Sequence, residues 1–108
     1  MQTVENEGKT TAIIAYLTLI GALIAIFMNQ EPKNAFARFH IRQAFGVHLI
    51  YWAMGLIIGS LDIWMLQYSY WILFFALWAY GFVGAIQGKW YAVPVIGPWF
   101  QKWFTFIQ

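Results

Sequence analysis

Ala44-Phe-Gly-Val-His-Leu-Ile-Tyr-Trp-Ala-Met-Gly-Leu-Ile-Ile-Gly-Ser-Leu61 contains no Asp, Glu, Lys or Arg. At about 1.5 Å per residue it is near the lower limit for a helix crossing a hydrocarbon core about 30 Å thick. Similar stretches lie on either side, Thr11–Met28 and Ile63–Ile86, and almost every charge sits between or beside the three. The last carries Gln67, Tyr68, Ser69 and Tyr70 early, so its span is predicted to start near Tyr70. The chain is 62% hydrophobic and only 9% charged, where a soluble domain carries about 25% charged residues. Its solvent is therefore a bilayer. The expected fold is an all-α membrane bundle in a single domain, 1–108. Three transmembrane helices cover about 11–28, 44–61 and 70–87. A short C-terminal helix over about 98–107 is interfacial, or is a fourth helix of the bundle.

Glu5 and Glu7 outweigh Lys9 ahead of the first stretch, and no small-residue cleavage site follows it. That is the wrong pattern for a signal peptide, so the stretch is read as a retained span. Cytoplasmic loops collect Lys and Arg. Lys33, Arg38 and Arg42 lie between the first two stretches, and Lys89 and Lys102 follow the third, whereas the link between the second and third has Asp62 and no base. The first loop and the C-terminus are expected in the cytoplasm of a multi-pass inner (plasma) membrane protein. Three spans would then put the N-terminus outside, and a re-entrant first segment would put it inside. Trp64, Tyr68, Tyr70 and Trp71 gather at the predicted outer edge, and Trp90, Tyr91, Trp99 and Trp103 at the inner one, as aromatic belts do. Trp52 and Trp78 fall nearer mid-span and are expected to pack between helices.

The second helix should begin before the membrane. Glu31-Pro32 marks a turn, Asn34 is a good N-cap, and no proline follows until well past Leu61, which predicts one helix over Asn34–Leu61. At 100° per residue, Arg38, Arg42 and Phe45 fall on one side. Phe36, His40, Gln43, Val47 and Tyr51 fall on roughly the other. The arginines read as ordinary positive-inside residues or, with Lys89 and Lys102, as lipid-headgroup contacts. His40 and Gln43 should face the bundle, because lipid penalises unsatisfied polar groups. A hairpin of the last two spans would bring them near Gln87 or the Gly88–Tyr91 backbone. The cluster His40, Gln43, Gln87 and Tyr91 is either a hydrogen-bonded clasp or a small polar pocket.

Small residues four apart, Gly55 with Gly59 and Gly84 with Gly88, form strips where another backbone can approach. Gly21 and Ala25 repeat the spacing. They suit internal packing or a homo-oligomer. Pro98 can open a short helix at its first position, with Trp99, Phe100, Trp103, Phe104, Phe106 and Ile107 on one broad arc.

Chemistry is sparsely represented. Without cysteine there is no thiolate, disulfide or cysteine-ligated metal. No carboxylate lies inside a span, which argues against a carboxylate-based pump. His40 and His48 are two turns apart and about 80° around the helix, a poor pair for one metal. No catalytic residue, cofactor or metal ligand is predicted, and a charge of +2 does not argue for nucleic acid.

Phe36-Ala-Arg-Phe-His-Ile-Arg-Gln43 and Ala85-Ile-Gln-Gly-Lys-Trp-Tyr-Ala-Val-Pro-Val-Ile-Gly97 resemble the small bacterial membrane proteins of the Tic20-like family, also called the domain-of-unknown-function 4870 (DUF4870) family. Phe39, His40, Gln43, Gly88, Tyr91 and Pro94 are the matching positions. The resemblance implies a compact helical bundle and, through the plastid relatives, a link to protein import. It supplies no catalytic role. The expected function is a non-enzymatic membrane protein acting through protein or lipid contacts at its cytoplasmic face. The alternative is a small oligomeric channel or translocation component. Expected partners are membrane lipids and a second copy or another membrane protein.

Overall fold

The structure, a computed structural model, describes residues 3–94 and 96–107. Its elements are α1 (Val4–Leu17), α2 (Leu19–Met28), α3 (Ala35–Ser60), α4 (Trp64–Gln87) and α5 (Gly97–Trp103). The described residues contain no strand.

Among the described residues, two helices are long and apolar enough to cross a membrane, α3 and α4. Asn34 opens α3 as predicted, its side chain accepting from the Ala37 N–H at 3.0 Å. α4 begins at Trp64, well before Tyr70, and the Gln67 amide donates to the Leu61 carbonyl at 2.8 Å across the bend. Gly88, at φ 72°, closes α4 in the left-handed conformation that glycine adopts without a Cβ penalty. The Lys89 N–H then returns to the Gly84 carbonyl at 2.8 Å.

The predicted span over 11–28 is not one helix. α1 and α2 are separated at Thr18, which takes an extended conformation (φ −156°, ψ 174°). Two local features break the apolar run. The Thr18 hydroxyl accepts from the Gly21 N–H at 2.9 Å, so Thr18 caps a new helix. A Cβ on Gly21 would lie 2.3 Å from the Ile14 carbonyl oxygen, an approach only glycine permits. With 14 and 10 residues, each helix is too short to span.

The two short helices form a hairpin whose ends meet at the start of α3. The Asn34 side chain donates to the Val4 carbonyl at 2.9 Å, and the Asn34 N–H donates to the Asn29 side chain at 2.9 Å. The tip reaches the level of His48 and Tyr51 on α3, where Leu17 to Ile20 line a common cavity with them. Beyond that level only α3 and α4 continue among the described residues, and their apolar side chains are bare: Leu56 is 76% exposed and Ile72 69%.

The N-terminal residues therefore lie at the same end as the close of α4. Trp90 donates its indole N–H to the Glu5 carboxylate at 2.8 Å, and this bond holds Glu5 below the usual carboxylate range. All six bases, Lys9, Lys33, Arg38, Arg42, Lys89 and Lys102, belong to segments gathered at this end. Asp62 sits in the bend at the other.

α5 is shorter than the predicted 98–107 and folds back onto α3. Phe100 is fully buried against Gly46, where a Cβ would lie 2.4 Å from its ring. Trp99, Trp103 and Phe106 remain exposed. The segment thus combines a docked bundle face with an open aromatic one.

Candidate functional site

His40 and Gln43 are fully buried and stand one turn apart on the inner face of α3. Around them the short hairpin, α3 and the segment after α4 meet in a polar node. His40 Nε2 lies 2.8 Å from the Lys89 carbonyl oxygen. A carbonyl can only accept, so Nε2 carries the proton and Nδ1 of the neutral ring is an acceptor. The Tyr16 hydroxyl, 2.7 Å from Nδ1, is then the donor. Its oxygen in turn accepts from Gln43 Nε2 at 2.8 Å. The second amide hydrogen of Gln43 goes to the Tyr91 carbonyl at 2.9 Å, and Gln43 Oε1 accepts from the Val93 N–H at 2.7 Å. Every polar hydrogen of the three side chains has an acceptor, and the chain of bonds closes without a charge.

Local structure aims these groups. The turn at Gly88 sends the Lys89 carbonyl back toward α3. Gly81 on α4 lets Tyr16 and Gln43 meet, since a Cβ there would lie 2.8 Å from both Gln43 Nε2 and the Tyr16 oxygen. Phe36 and Phe39 stand edge-on to the imidazole, with centroids at 4.7 and 5.0 Å. Trp90 packs on both phenylalanines. The rings seal the node, in which an unpaired polar group would cost about 1–3 kcal/mol.

Of the predicted cluster, His40 and Gln43 come together and Tyr91 joins through its carbonyl alone, its ring stacking on Tyr80 at 5.3 Å. Gln87 is exposed and outside the node. The hydrogen-bonding groups of Tyr16, His40 and Gln43 are taken up by one another and by the Lys89, Tyr91 and Val93 backbone.

Sequence reasoning missed Tyr16, although a tyrosine inside an apolar run is a sign that its hydroxyl needs a partner. It also missed the role of Trp78. The last carbonyls of a helix lack intrahelical partners, and the Trp78 indole N–H serves that of Tyr16 at 2.6 Å. Trp52, by contrast, is 57% exposed rather than packed between helices.

Among the predicted lipid contacts, Arg42 is otherwise engaged. Its guanidinium donates to the carbonyls of Ile107 (3.0 Å), Thr105 (3.4 Å) and Gln101 (3.5 Å), which terminate the α5 segment. Gln101 adds a bond to the Phe39 carbonyl at 2.8 Å. Lys102 lies 5.6 Å from the Trp99 ring centroid, while Lys89 is exposed and Arg38 half-exposed. The glycine strips also divide. Gly55 packs on Tyr70, Gly59 faces open space, Gly84 receives Tyr91, and Gly88 is a helix cap. Gly55 meets α4 through Tyr70, and Gly88 faces α1 at Glu5 and Lys9.

Two long apolar helices, a short helical hairpin and a closed polar node define a helical membrane protein. The chain belongs to the magnetosome magnetite crystal formation protein family (MamF/MmsF), which residues 7–100 match. No curated protein and no solved structure matches it. The family match overturns the resemblance to the Tic20-like family. Phe36–Gln43 and Ala85–Gly97, which carried that resemblance, lie inside the matched region.

Proposed function

We propose that this chain is a non-enzymatic membrane protein that takes part in magnetite crystal formation through protein or lipid contacts at its basic end. The observation that carries the reading is the closure of the Tyr16–His40–Gln43 node. Its donors and acceptors are spent on the protein itself, which suits a fastening and offers a substrate nothing to bind. The same end presents Lys33, Lys89 and Lys102 beside the exposed Trp90, Trp99 and Trp103, a combination suited to anionic headgroups and to a partner at the membrane surface.

In this reading α3 and α4 are the two spans, and α1–α2 is a re-entrant hairpin that enters and leaves on one side. Non-helical backbone at membrane depth is tolerated where protein covers it, and Thr18, Gly21 and Trp78 supply the needed bonds. All six bases then lie on the cytoplasmic side of the inner membrane, as the positive-inside rule favours. Partners are membrane lipids and a second copy or another membrane protein.

The test uses a magnetite-forming host that lacks the gene, complemented with the wild type or with Lys33→Ala/Lys89→Ala/Lys102→Ala. Crystal size is read by electron microscopy and co-purifying lipid and protein by mass spectrometry. The triple variant should accumulate normally, yet lose bound lipid or partner and fail to restore crystals. Full restoration with unchanged co-purification would refute the contact reading.

A further inference from the structure

The outer face of the α1–α2 hairpin is built for lipid. Ile20, Leu23, Ile24 and Phe27 are exposed along α2, while Gly21, Ala22 and Ala25 are buried on its other side. The exposed four follow the i, i+3, i+4, i+7 spacing of a single helix face, on a helix without a charged residue. A continuous apolar stripe of this kind is costly in water and at ease among acyl chains.

The hairpin fills only one side of the bilayer. It runs from the Asn34 end of α3 to the level of His48 and Tyr51, where a cavity of about 420 Å³ beside Leu17–Ile20 marks the step. On the basic side of the step α1 lies against α2, α3 and α4, and α5 lies against α3. On the far side α3 and α4 continue alone among the described residues. At about 10 Å of width per helix, four helices against two give the basic side about twice the cross-section. The exposed Trp99, Trp103 and Phe106 of the C-terminal segment widen it further.

A flat bilayer gives its two leaflets equal area, so a body wider in one of them strains the lipid around it. Bending relieves the strain when the crowded leaflet lies on the convex side, and helices inserted into one leaflet are sensitive to curvature for this reason. We propose that this chain is a curvature-selective wedge that gathers where the bilayer is convex on its basic side. The partner is a bent lipid surface, recognised through the shape of the protein and not through headgroup charge. The inference rests on the two-span arrangement proposed above, under which the favoured membrane bulges into the cytoplasm.

The experiment labels Thr105→Cys, at an exposed position of the basic end, with a fluorophore that an impermeant reductant bleaches. The full chain is reconstituted sparsely into phosphatidylcholine vesicles of mixed size. Fluorescence per unit of lipid is then read vesicle by vesicle, before and after bleaching. Chains with the basic end outward should rise severalfold in density from the largest vesicles to the smallest, and chains facing inward should fall. Lys33→Ala/Lys89→Ala/Lys102→Ala should follow the same slope, because this lipid carries no net charge and the helices are unchanged. Densities independent of diameter would overturn the proposal, as would an equal rise in both orientations or a slope lost with the lysines. Label at Asp62→Cys, run in parallel, should give the mirror-image dependence. The same dependence at both sites would fail the two-span arrangement itself, whereas no dependence at either fails the wedge alone. The contact function proposed above is read separately, through crystals and co-purification in the host.

Discussion

The Tyr16 hydroxyl donates to Nδ1 of His40 across 2.7 Å, and this bond fastens the short hairpin to the first long helix. Because the same hydroxyl oxygen accepts from Gln43, Tyr16→Phe removes a donor and an acceptor together. His40 Nδ1 and one Gln43 hydrogen are left unpaired in a sealed site, at a cost of about 1–3 kcal/mol. Thermal unfolding in detergent should show the loss. The His40→Ala and Tyr16→Phe effects should be non-additive when combined, with a coupling of about 0.5–3 kcal/mol. Strict additivity would mean that the two side chains do not act as one unit.

Gly81 and Gly59 should respond oppositely to alanine. A Cβ at Gly81 would push into Gln43 and Tyr16, whereas nothing lies within 4 Å of one at Gly59. Gly81→Ala is expected to destabilise by about 1–3 kcal/mol through overpacking. Gly59→Ala is expected to be neutral, or to stabilise by up to about 1 kcal/mol through helix propensity. Denaturation midpoints of the two variants check this, and equal effects would deny Gly81 a special place.

These contrasts show what was legible in the sequence. Asn34 as the cap of α3, and the meeting of His40 and Gln43 with the Gly88–Tyr91 backbone, follow from local rules: a capping preference, a 100° period, and the cost of an unpaired polar group in lipid. The break at Thr18 was not legible from hydropathy, because Thr18 and Gly21 differ too little from their neighbours on a transfer scale to interrupt an apolar run. Their effect is conformational, one hydroxyl cap and one missing Cβ. Tyr16 was missed for a related reason, since its partners lie 24 and 27 residues away and only the hairpin brings it to them. At Gly88 the backbone also requires a positive φ, which small-residue spacing does not read.

Arg42 should hold the C-terminal segment in place, and Arg38 should not. The fork of Arg42 reaches three carbonyls near the chain end, a geometry that a single ammonium does not reproduce. Arg42→Ala and Arg42→Lys are both expected to speed proteolysis around Gln101–Phe106, while Arg38→Ala leaves the rate unchanged. Cleavage followed by mass spectrometry on membranes gives the answer. Equal protection in all three variants would mean that Phe100 in its seat at Gly46 holds the segment without help.

The hairpin at Thr18 also fixes how the chain is threaded. With no cysteine in the sequence, single introduced thiols report cleanly on sidedness. If α1 and α2 turn back within the membrane, Asn6→Cys, Gln30→Cys and Thr105→Cys must share one side and Asp62→Cys must lie on the other. In intact spheroplasts an impermeant maleimide should label only Asp62→Cys, and the other three should react after lysis. A continuous first span would put Asn6→Cys with Asp62→Cys instead. That arrangement would pull Glu5 away from Trp90 and Val4 from Asn34, breaking two bonds that tie the N-terminal helix to the basic end. Labelling of Asn6→Cys from outside would therefore remove the hairpin from the fold, and with it the reason that Tyr16 can reach His40.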